Sequence, residues 1–310
     1  MRILVIGAGA TGGYFGGRLL ESGQDVTFLV RAGRAEQLAR HGLVIRSGLG
    51  DASLPSPPTL QASALRDPFD LILLSCKAYH LPQVMDDMAP AVGPQSMILP
   101  LLNGMRHLDL LDARFSADRV LGGQCVIAAT LDAEGAVRHL NQSHGLTFGE
   151  RDGMRSERIE RVAQSMADAR FEPRLSMSIL QDMWDKWVFL ASLAGITCLM
   201  RAPVGDIVAA PGGLQVTLQL LEDCRSVAAR NDHAPADAVL ARAYSMLSEA
   251  GSALSASMMR DLEQGGLIEA DHVVGDLLAR GDASEDALPM LRVAYAHLKA
   301  YEVRRSRTKV

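Results

Sequence analysis

The stretch Arg2-Ile3-Leu4-Val5-Ile6-Gly7-Ala8-Gly9-Ala10-Thr11-Gly12 decides the fold class of this chain of 310 residues. Its apolar first half predicts a buried strand, and its glycines predict a tight turn into a helix that runs towards Ser22. Such a turn lets the backbone approach a pyrophosphate, and the helix N-terminus offers free N–H groups and the positive end of a dipole. We therefore predict a dinucleotide-binding loop, the alternative being a glycine turn with a purely structural role. The predicted binding residues are Gly7, Gly9, Ala10, Thr11 and Gly12.

Outward from this loop, β-rich runs alternate with amphipathic segments up to about residue 150. That alternation is typical of a parallel sheet covered by helices, so we predict an α/β fold with an N-terminal, Rossmann-type doubly wound sheet. The predicted strands are residues 2–6, 25–30, 43–46, 69–76, 96–102 and 120–131. Two short strands within 136–150 flank the polar stretch 141–145, which predicts an antiparallel hairpin at the sheet edge.

Helical periodicity replaces the strand pattern from about residue 178 onwards. We predict that residues 1–175 form the nucleotide-binding Rossmann domain and that 176–310 form a mostly α-helical domain for substrate and catalysis. The longest apolar run, residues 187–200, has fourteen residues and is interrupted by Ser192, Gly195 and Thr197. It is too short to span a bilayer and predicts a buried helix.

Composition narrows the class of protein further. With 48% hydrophobic residues, 22% charged residues and a net charge of -5, the chain reads as globular, and its mild acidity argues against a nucleic-acid partner. The four cysteines are far apart and the eight histidines show no ligand spacing, so we predict neither disulfides nor a metal site. The expected compartment is the cytoplasm, without a membrane partner.

The end of the second predicted strand decides which dinucleotide the loop prefers. NAD and FAD sites usually place an acid there, which binds the ribose 2′-hydroxyl. This chain has Arg31 at that point, followed by Arg34, with no carboxylate before Glu36. Because a guanidinium fork matches phosphate oxygens, we predict NADPH rather than NADH; the alternative is a pair of solvated arginines.

Two more polar residues directly follow predicted strands. Lys77, one of only four lysines, comes after residues 69–76, and Asn103 comes after residues 96–102 and precedes Gly104. Ligands of open α/β sheets bind outside the carboxyl ends of the strands, so we expect Lys77 and Asn103 to share one crevice with the glycine loop. The alternatives are a surface lysine and an ordinary Asn-Gly turn.

A reductase also needs an acid that protonates or polarises the carbonyl oxygen of its substrate. Lys186 begins the apolar helix of the second domain, either reaching solvent or lying in a partly dry cleft. Glu269 begins a later helix, where a carboxylate also complements the helix dipole without any further role.

Seven motifs in this order and spacing resemble the ketopantoate reductase family, and the resemblance covers nearly the whole chain. They are Gly7-Ala8-Gly9-Ala10-Thr11-Gly12, Arg31, Cys76-Lys77-Ala78, Asn103-Gly104-Met105, Trp184-Asp185-Lys186, Ser257-Met258 and Glu269-Ala270-Asp271. The resemblance implies a Rossmann domain followed by a helical domain. It also implies NADPH-dependent reduction of 2-dehydropantoate (ketopantoate) to (R)-pantoate, on the route to pantothenate and coenzyme A, with a homodimer as a candidate assembly.

The resemblance also implies roles for single residues. Lys186 is similar to the family's catalytic lysine, which gives a proton to the ketone oxygen, and Glu269 to the acid that binds the substrate hydroxyl and supports that lysine. Asn103 resembles the asparagine near nicotinamide and substrate, and Ser257 the serine that binds the substrate carboxylate. Arg31 and Lys77 resemble the family's cofactor contacts.

One part of the family pattern is missing. Studied members carry asparagines four and eight residues after the lysine, on the same helix face, where this chain has Leu190 and Ala194. Two alternatives therefore stand beside ketopantoate reduction: an NADPH-dependent reductase of a different 2-oxo acid or ketone, and a non-catalytic NADP(H)-binding sensor.

Overall fold

The fold is described from a computed structural model that covers residues 1–281, 284 and 287–308. Parts of the predicted helical domain, namely residues 282, 283, 285, 286 and 309–310 with Lys309, lie outside the described residues. The strands are β1 Arg2–Ile6, β2 Asp25–Leu29, β3 Leu43–Arg46, β4 Ala52–Leu54, β5 Thr59–Leu60, β6 Leu71–Leu74, β7 Met97–Pro100, β8 Gly122–Leu131, β9 Val137–Gly149 and β10 Glu172–Leu175. The helices are α1 Ala10–Glu21, α2 Ala32–His41, α3 Leu81–Met88, α4 Arg106–Phe115, α5 Glu157–Met166, α6 Ile179–Met200, α7 Val204–Ala209, α8 Gly213–Arg230, α9 Asp237–Leu247, α10 Ser257–Glu263, α11 Asp276–Ala279 and α12 Pro289–Thr308.

The chain divides into two compact units. One comprises residues 1–102 and 107–180, and the other comprises residues 103–106 and 181–310. The predicted boundary after residue 175 lies a few residues before the main division, and the short insertion of 103–106 into the second unit was not anticipated.

The first unit contains the predicted parallel sheet, in the order β5-β2-β1-β6-β7. Its central strand β1 pairs with β2 on one side and with β6 on the other, so the connections change direction at β1. The strands β6 and β7 are buried on both faces, as their continuous apolar runs predict. The prediction of an α/β fold with a Rossmann-type sheet is confirmed.

The prediction of one sheet for all strands is wrong, because β3 and β8 belong to a second sheet. That sheet has the order β10-β9-β3-β4, with β8 paired to β9. Helix α1 packs against both sheets through its paired glycines. A Cβ at Gly16 would lie 2.6 Å from Phe28 of the first sheet, and one at Gly17 would lie 2.8 Å from Ile45 of the second. The repeated Gly-Gly pairs of α1 therefore allow close packing on two sides.

The predicted hairpin around residues 141–145 is also wrong. These residues lie inside the single strand β9, and the turn between β8 and β9 spans Asp132 to Ala136 instead. The Asp132 side chain accepts a hydrogen bond of 2.8 Å from the N–H of Ala136, and Gly135 has a φ of 82°. The polar stretch forms an irregularity in the β8–β9 pairing, where Asn141 accepts a hydrogen bond of 3.2 Å from the N–H of Ala128.

The second unit is helical in its described residues, and α6 is its longest helix. Trp187, Ala191 and Ile196 of α6 are almost completely buried, which confirms the prediction of a buried helix over 187–200. By length and composition alone α6 could cross a membrane, but 67% of its most apolar stretch is buried inside the protein, as in the core helix of a globular protein.

Candidate active site

The glycine loop after β1 has the geometry that a pyrophosphate requires. Gly7 has a φ of 87°, and its N–H donates a hydrogen bond of 2.9 Å to the carbonyl of Leu29. A Cβ at Gly12 would lie 2.2 Å from Ser75 Oγ and 2.3 Å from the carbonyl oxygen of Gly7, so only glycine lets α1 approach the loop and β6 this closely. A Cβ at Gly9 would meet nothing within 4 Å, so the loop is open beside Gly9. The tight turn at Gly7, the open space beside Gly9 and the close packing at Gly12 together fit a bound dinucleotide.

Arg34 connects this loop to the turn between β8 and β9 through hydrogen bonds. Its Nε donates a hydrogen bond of 2.9 Å to the carbonyl of Ala8, and its Nη1 donates one of 2.9 Å to the carbonyl of Gly135 in the β8–β9 turn. Gln37 adds a hydrogen bond of 2.8 Å to the carbonyl of Glu134 in the same turn. Burial lowers the pKa of Arg34, and the nearby Asp132 opposes that effect. The Nε and Nη1 groups of Arg34 therefore bind carbonyls of the protein itself, whereas the alternative from sequence was a solvated side chain.

Arg31 and Lys77 lie at the same edge of the sheet as the loop. Arg31 is the exposed N-cap residue of α2, two residues after the end of β2, and its Nη2 lies 3.3 Å from His80 Nδ1. Lys77 is half-buried and precedes a short 3-10 turn, Ala78–His80, that follows β6. Because β2 and β6 flank β1 as parallel neighbours, their carboxyl ends meet beside the glycine loop.

In the second unit the structure brings Lys186 and Asn103 together. Lys186 Nζ donates a hydrogen bond of 3.1 Å to Asn103 Oδ1, and both residues are half-buried. Lys186 lies in the second turn of α6, and Asn103 begins the short insertion of residues 103–106. The amide oxygen thus fixes the position of the ammonium group without neutralising its charge.

Two contacts hold the segments of Asn103 and Lys186 against the backbone that follows Glu269. Gly104 has a φ of 78°, and a Cβ there would lie 2.6 Å from the carbonyl oxygen of His272. Trp187, next to Lys186, donates a hydrogen bond of 2.8 Å from Nε1 to the carbonyl of Val273. Both contacts are made to the π-helical turn Asp271–Gly275, which begins directly after Glu269-Ala270, and Glu269 itself is half-buried. Single π-helical turns are frequent at functional sites.

Ser257 is placed by α6 as well. It is exposed at the first position of α10, and the preceding residue Ala256 donates an N–H hydrogen bond of 3.4 Å to the buried hydroxyl of Thr197 on α6. Leu190 and Ala194 follow Lys186 by one and two turns of α6; Leu190 is half-buried and Ala194 is buried. Among the residues that the structure describes, no group of three or more His, Cys, Asp or Glu could hold a metal ion.

The residues that support this site were not among the predicted candidates. The Asn103-Gly104 pair predicts a turn, but not the close approach to His272 that Gly104 permits. One available signal was Trp187, since the chain has two tryptophans and both flank Lys186 closely. The contacts of Arg34 with a turn about a hundred residues later had no local signal.

We expect Gly104→Ala to cost about 1–3 kcal/mol of stability and to lower kcat/KM roughly 10–100-fold, because Asn103 would move away from Lys186. Thermal unfolding and steady-state kinetics measure both effects. Gly251→Ala is the matched control: Gly251 has a φ of 72°, but a Cβ there would meet nothing within 4 Å. Equal kinetic losses in the two variants would show that contact with His272 does not position Asn103.

His272 gives the second unit a defined sensitivity to acid. Burial lowers its pKa to about 4, and the charges of Arg106 and Arg280 act in the same direction. Because the unfolded chain binds this proton near pH 6.5 and the folded chain only near pH 4, stability is complete above about pH 6.5 and falls as the pH drops. We expect a loss of up to about 3 kcal/mol from this group. Urea unfolding between about pH 7 and pH 4 should show a smaller loss in His272→Gln; an identical pH dependence would contradict the assignment.

Comparison with known proteins gives matches over nearly the whole chain. A sequence model of the family described as ketopantoate reductase PanE/ApbA matches residues 3–153, and the model of that family's C-terminal part matches residues 178–302. The uncharacterized oxidoreductase YkpB of Bacillus subtilis (strain 168) is 40% identical over 303 residues, which are 97% of this chain and 99% of that protein.

Solved structures share the fold. The crystal structure of 2-dehydropantoate 2-reductase from Geobacter metallireducens GS-15 has a TM-score of 0.87 at 27% identity, and covers 97% of this chain and 99% of its own. The ternary structure of D-mandelate dehydrogenase with NADH and anilino(oxo)acetate has a TM-score of 0.87 at 21% identity, and covers 99% of both chains. The second likeness concerns the fold alone.

Proposed function

Because the chain belongs to the ketopantoate reductase family PanE/ApbA, we propose that it reduces a 2-oxo acid with NADPH, with 2-dehydropantoate as substrate and (R)-pantoate as product. This reaction would place it in pantothenate and coenzyme A biosynthesis. The observation that carries the proposal is the hydrogen bond between Lys186 and Asn103. A positioned ammonium group is the acid that carbonyl reduction needs.

The first unit supplies the residues that would hold the cofactor. The loop from Gly7 to Gly12 would bind the pyrophosphate through backbone N–H groups at the start of α1. The N-cap residue of α1 is Gly9, which has no side chain to obstruct the phosphates. Arg31 and Lys77 would bind the 2′-phosphate, and Asn103 would lie near the nicotinamide. A bound nicotinamide supplies the hydride for the carbonyl carbon.

The second unit supplies the acid and the substrate contacts. Lys186 holds a proton at Nζ and passes it to the carbonyl oxygen as negative charge develops there, after which solvent restores the ammonium group. Asn103 orients Nζ through its amide oxygen. In our proposal Glu269 binds the substrate hydroxyl and Ser257 binds the substrate carboxylate, which fixes the carbonyl face that receives the hydride.

The helix face beyond Lys186 favours a second candidate substrate class. One turn further along α6 this face carries Phe189 and Leu190, and two turns further it carries Leu193 and Ala194. A substrate hydroxyl placed along these side chains would lose its water without gaining a partner, at a cost of about 1–3 kcal/mol. A 2-oxo acid with an apolar side chain would avoid that cost.

A panel of 2-oxo acids, assayed with NADPH and NADH side by side, tests both candidates. The sharpest pair is ketopantoate and 3,3-dimethyl-2-oxopentanoate, which differ by a methyl group in place of the hydroxyl. Higher kcat/KM for ketopantoate supports the proposed reaction. A preference for the methyl compound that Leu190→Asn reverses would support the apolar class instead, and tight NADPH binding without turnover of any acid would support a sensor.

We further propose the cytoplasm as the compartment, supported by the four cysteines, none of which forms a disulfide within the described residues. A homodimer is our candidate assembly, and light scattering of the purified protein would measure it.

A further inference from the structure

His80 lies beside the residue that we expect to bind the 2′-phosphate. Its Nδ1 is 3.3 Å from Arg31 Nη2, although the two residues come from different segments, the 3-10 turn after β6 and the start of α2. Its ring packs edge-to-face against Tyr79, with ring centroids 4.7 Å apart. His80 is half-buried, whereas Arg31 is exposed.

This contact defines the protonation state of His80. A guanidinium group can only donate, so Nδ1 must accept from Arg31 and the ring proton must lie on Nε2. Burial lowers the pKa of His80 and the positive charge of Arg31 lowers it further. Its own segment also carries the titratable residues Lys77 and Tyr79. Near neutral pH the imidazole is therefore uncharged.

We propose that His80 binds the 2′-phosphate of NADPH together with Arg31 and takes up one proton from solvent when the phosphate binds. This inference rests on the proposed use of NADPH. It makes His80 a determinant of cofactor choice, and it gives that choice a dependence on pH.

The proton uptake follows from a change in the hydrogen-bond partner of Arg31. A phosphate dianion beside Arg31 takes over the guanidinium donors, which releases Nδ1 and cancels the repulsion that disfavours an imidazolium ion. The released Nδ1 can then bind a proton and donate to a phosphate oxygen. NADH has no 2′-phosphate, so its binding leaves the contact between Arg31 and His80 in place.

Calorimetric titration of the intact protein tests this without any turnover. NADPH and NADH are each titrated near pH 7.4 in two buffers of different ionisation enthalpy, and the difference gives the protons taken up. We expect uptake with NADPH that approaches one proton, and none with NADH. Because linkage ties uptake to affinity, the Kd for NADPH should tighten by up to about tenfold per pH unit between about pH 8.5 and pH 7.

Two variants complete the design. His80→Gln keeps a hydrogen-bonding side chain that cannot titrate, and should abolish the uptake, weaken NADPH up to about tenfold and leave NADH unchanged. His41→Gln, at the exposed end of α2, is the matched control and should behave like the wild type. Undiminished uptake in His80→Gln, or tight NADPH binding without uptake, would overturn the role of His80 alone. NADPH binding no tighter than NADH binding would overturn the proposed cofactor as well.

Discussion

Lys186→Met is expected to lower kcat by about 10²–10⁴-fold, which is the usual contribution of a positioned general acid. Methionine keeps an unbranched chain of similar length but carries no proton for the carbonyl oxygen. It also removes the hydrogen bond of 3.1 Å to Asn103. Pre-steady-state and steady-state rates of cofactor oxidation measure the loss.

Two controls separate proton transfer from other effects of this change. The Kd for NADPH should stay within about twofold, since Lys186 is not among the proposed cofactor contacts. Lys186→Arg keeps a positive charge that cannot be deprotonated in proteins, so it should recover little of the rate if the lysine acts as an acid. A fully active Lys186→Met enzyme would exclude Lys186 as the proton donor.

Gly12→Ala is also expected to have a large effect, and it acts on the fold and the cofactor together. The new Cβ would lie 2.2 Å from Ser75 Oγ and 2.3 Å from the carbonyl oxygen of Gly7. Ser75 cannot turn away freely, because its hydroxyl donates a hydrogen bond of 2.8 Å to the carbonyl of Ile6. We expect a loss of about 1–3 kcal/mol in stability and a Kd for NADPH at least about tenfold weaker.

Gly9→Ala is the matched control within the same loop. A Cβ at Gly9 would meet nothing within 4 Å, so the free energy of unfolding should change little. The methyl group would instead occupy the space through which the pyrophosphate approaches, and should weaken NADPH binding. Equal losses of stability in Gly9→Ala and Gly12→Ala would contradict the division of roles between these glycines.

The sheet that carries the loop was predictable because its signals are local. A buried apolar strand followed by glycines determines β1, the turn and α1, and the runs at β6 and β7 are apolar on both faces. The doubly wound arrangement was predictable as well, since parallel strands joined by helices follow few topologies.

The second sheet was not predictable from such signals. Strand β3 has the same apolar pattern as the strands of the first sheet, and only its partners, β4 and β9, place it elsewhere. The polar residues 141–145 resemble a turn, yet long-range pairing with β8 keeps them extended. Cross-strand pairing over such distances leaves no trace in local propensity.

The candidate site also has features that were predictable from sequence and features that were not. Lys186 and Asn103 were predictable candidates from residue chemistry and strand ends, but their direct contact depends on Gly104 and the π-helical turn. The contacts of Arg34 were not predictable, since its guanidinium binds two backbone carbonyls, one of them in a turn far along the chain.

The most direct test of the central claim is the initial rate of NADPH oxidation by the purified protein with ketopantoate. If Lys186 is the proton donor of a reductase, we expect a kcat/KM of about 10⁴ M⁻¹s⁻¹ or higher. In Lys186→Met this kcat/KM should fall at least about a hundredfold. Absence of turnover with ketopantoate and every other 2-oxo acid, in a protein that still binds NADPH, would contradict the claim that this chain is a 2-oxo acid reductase.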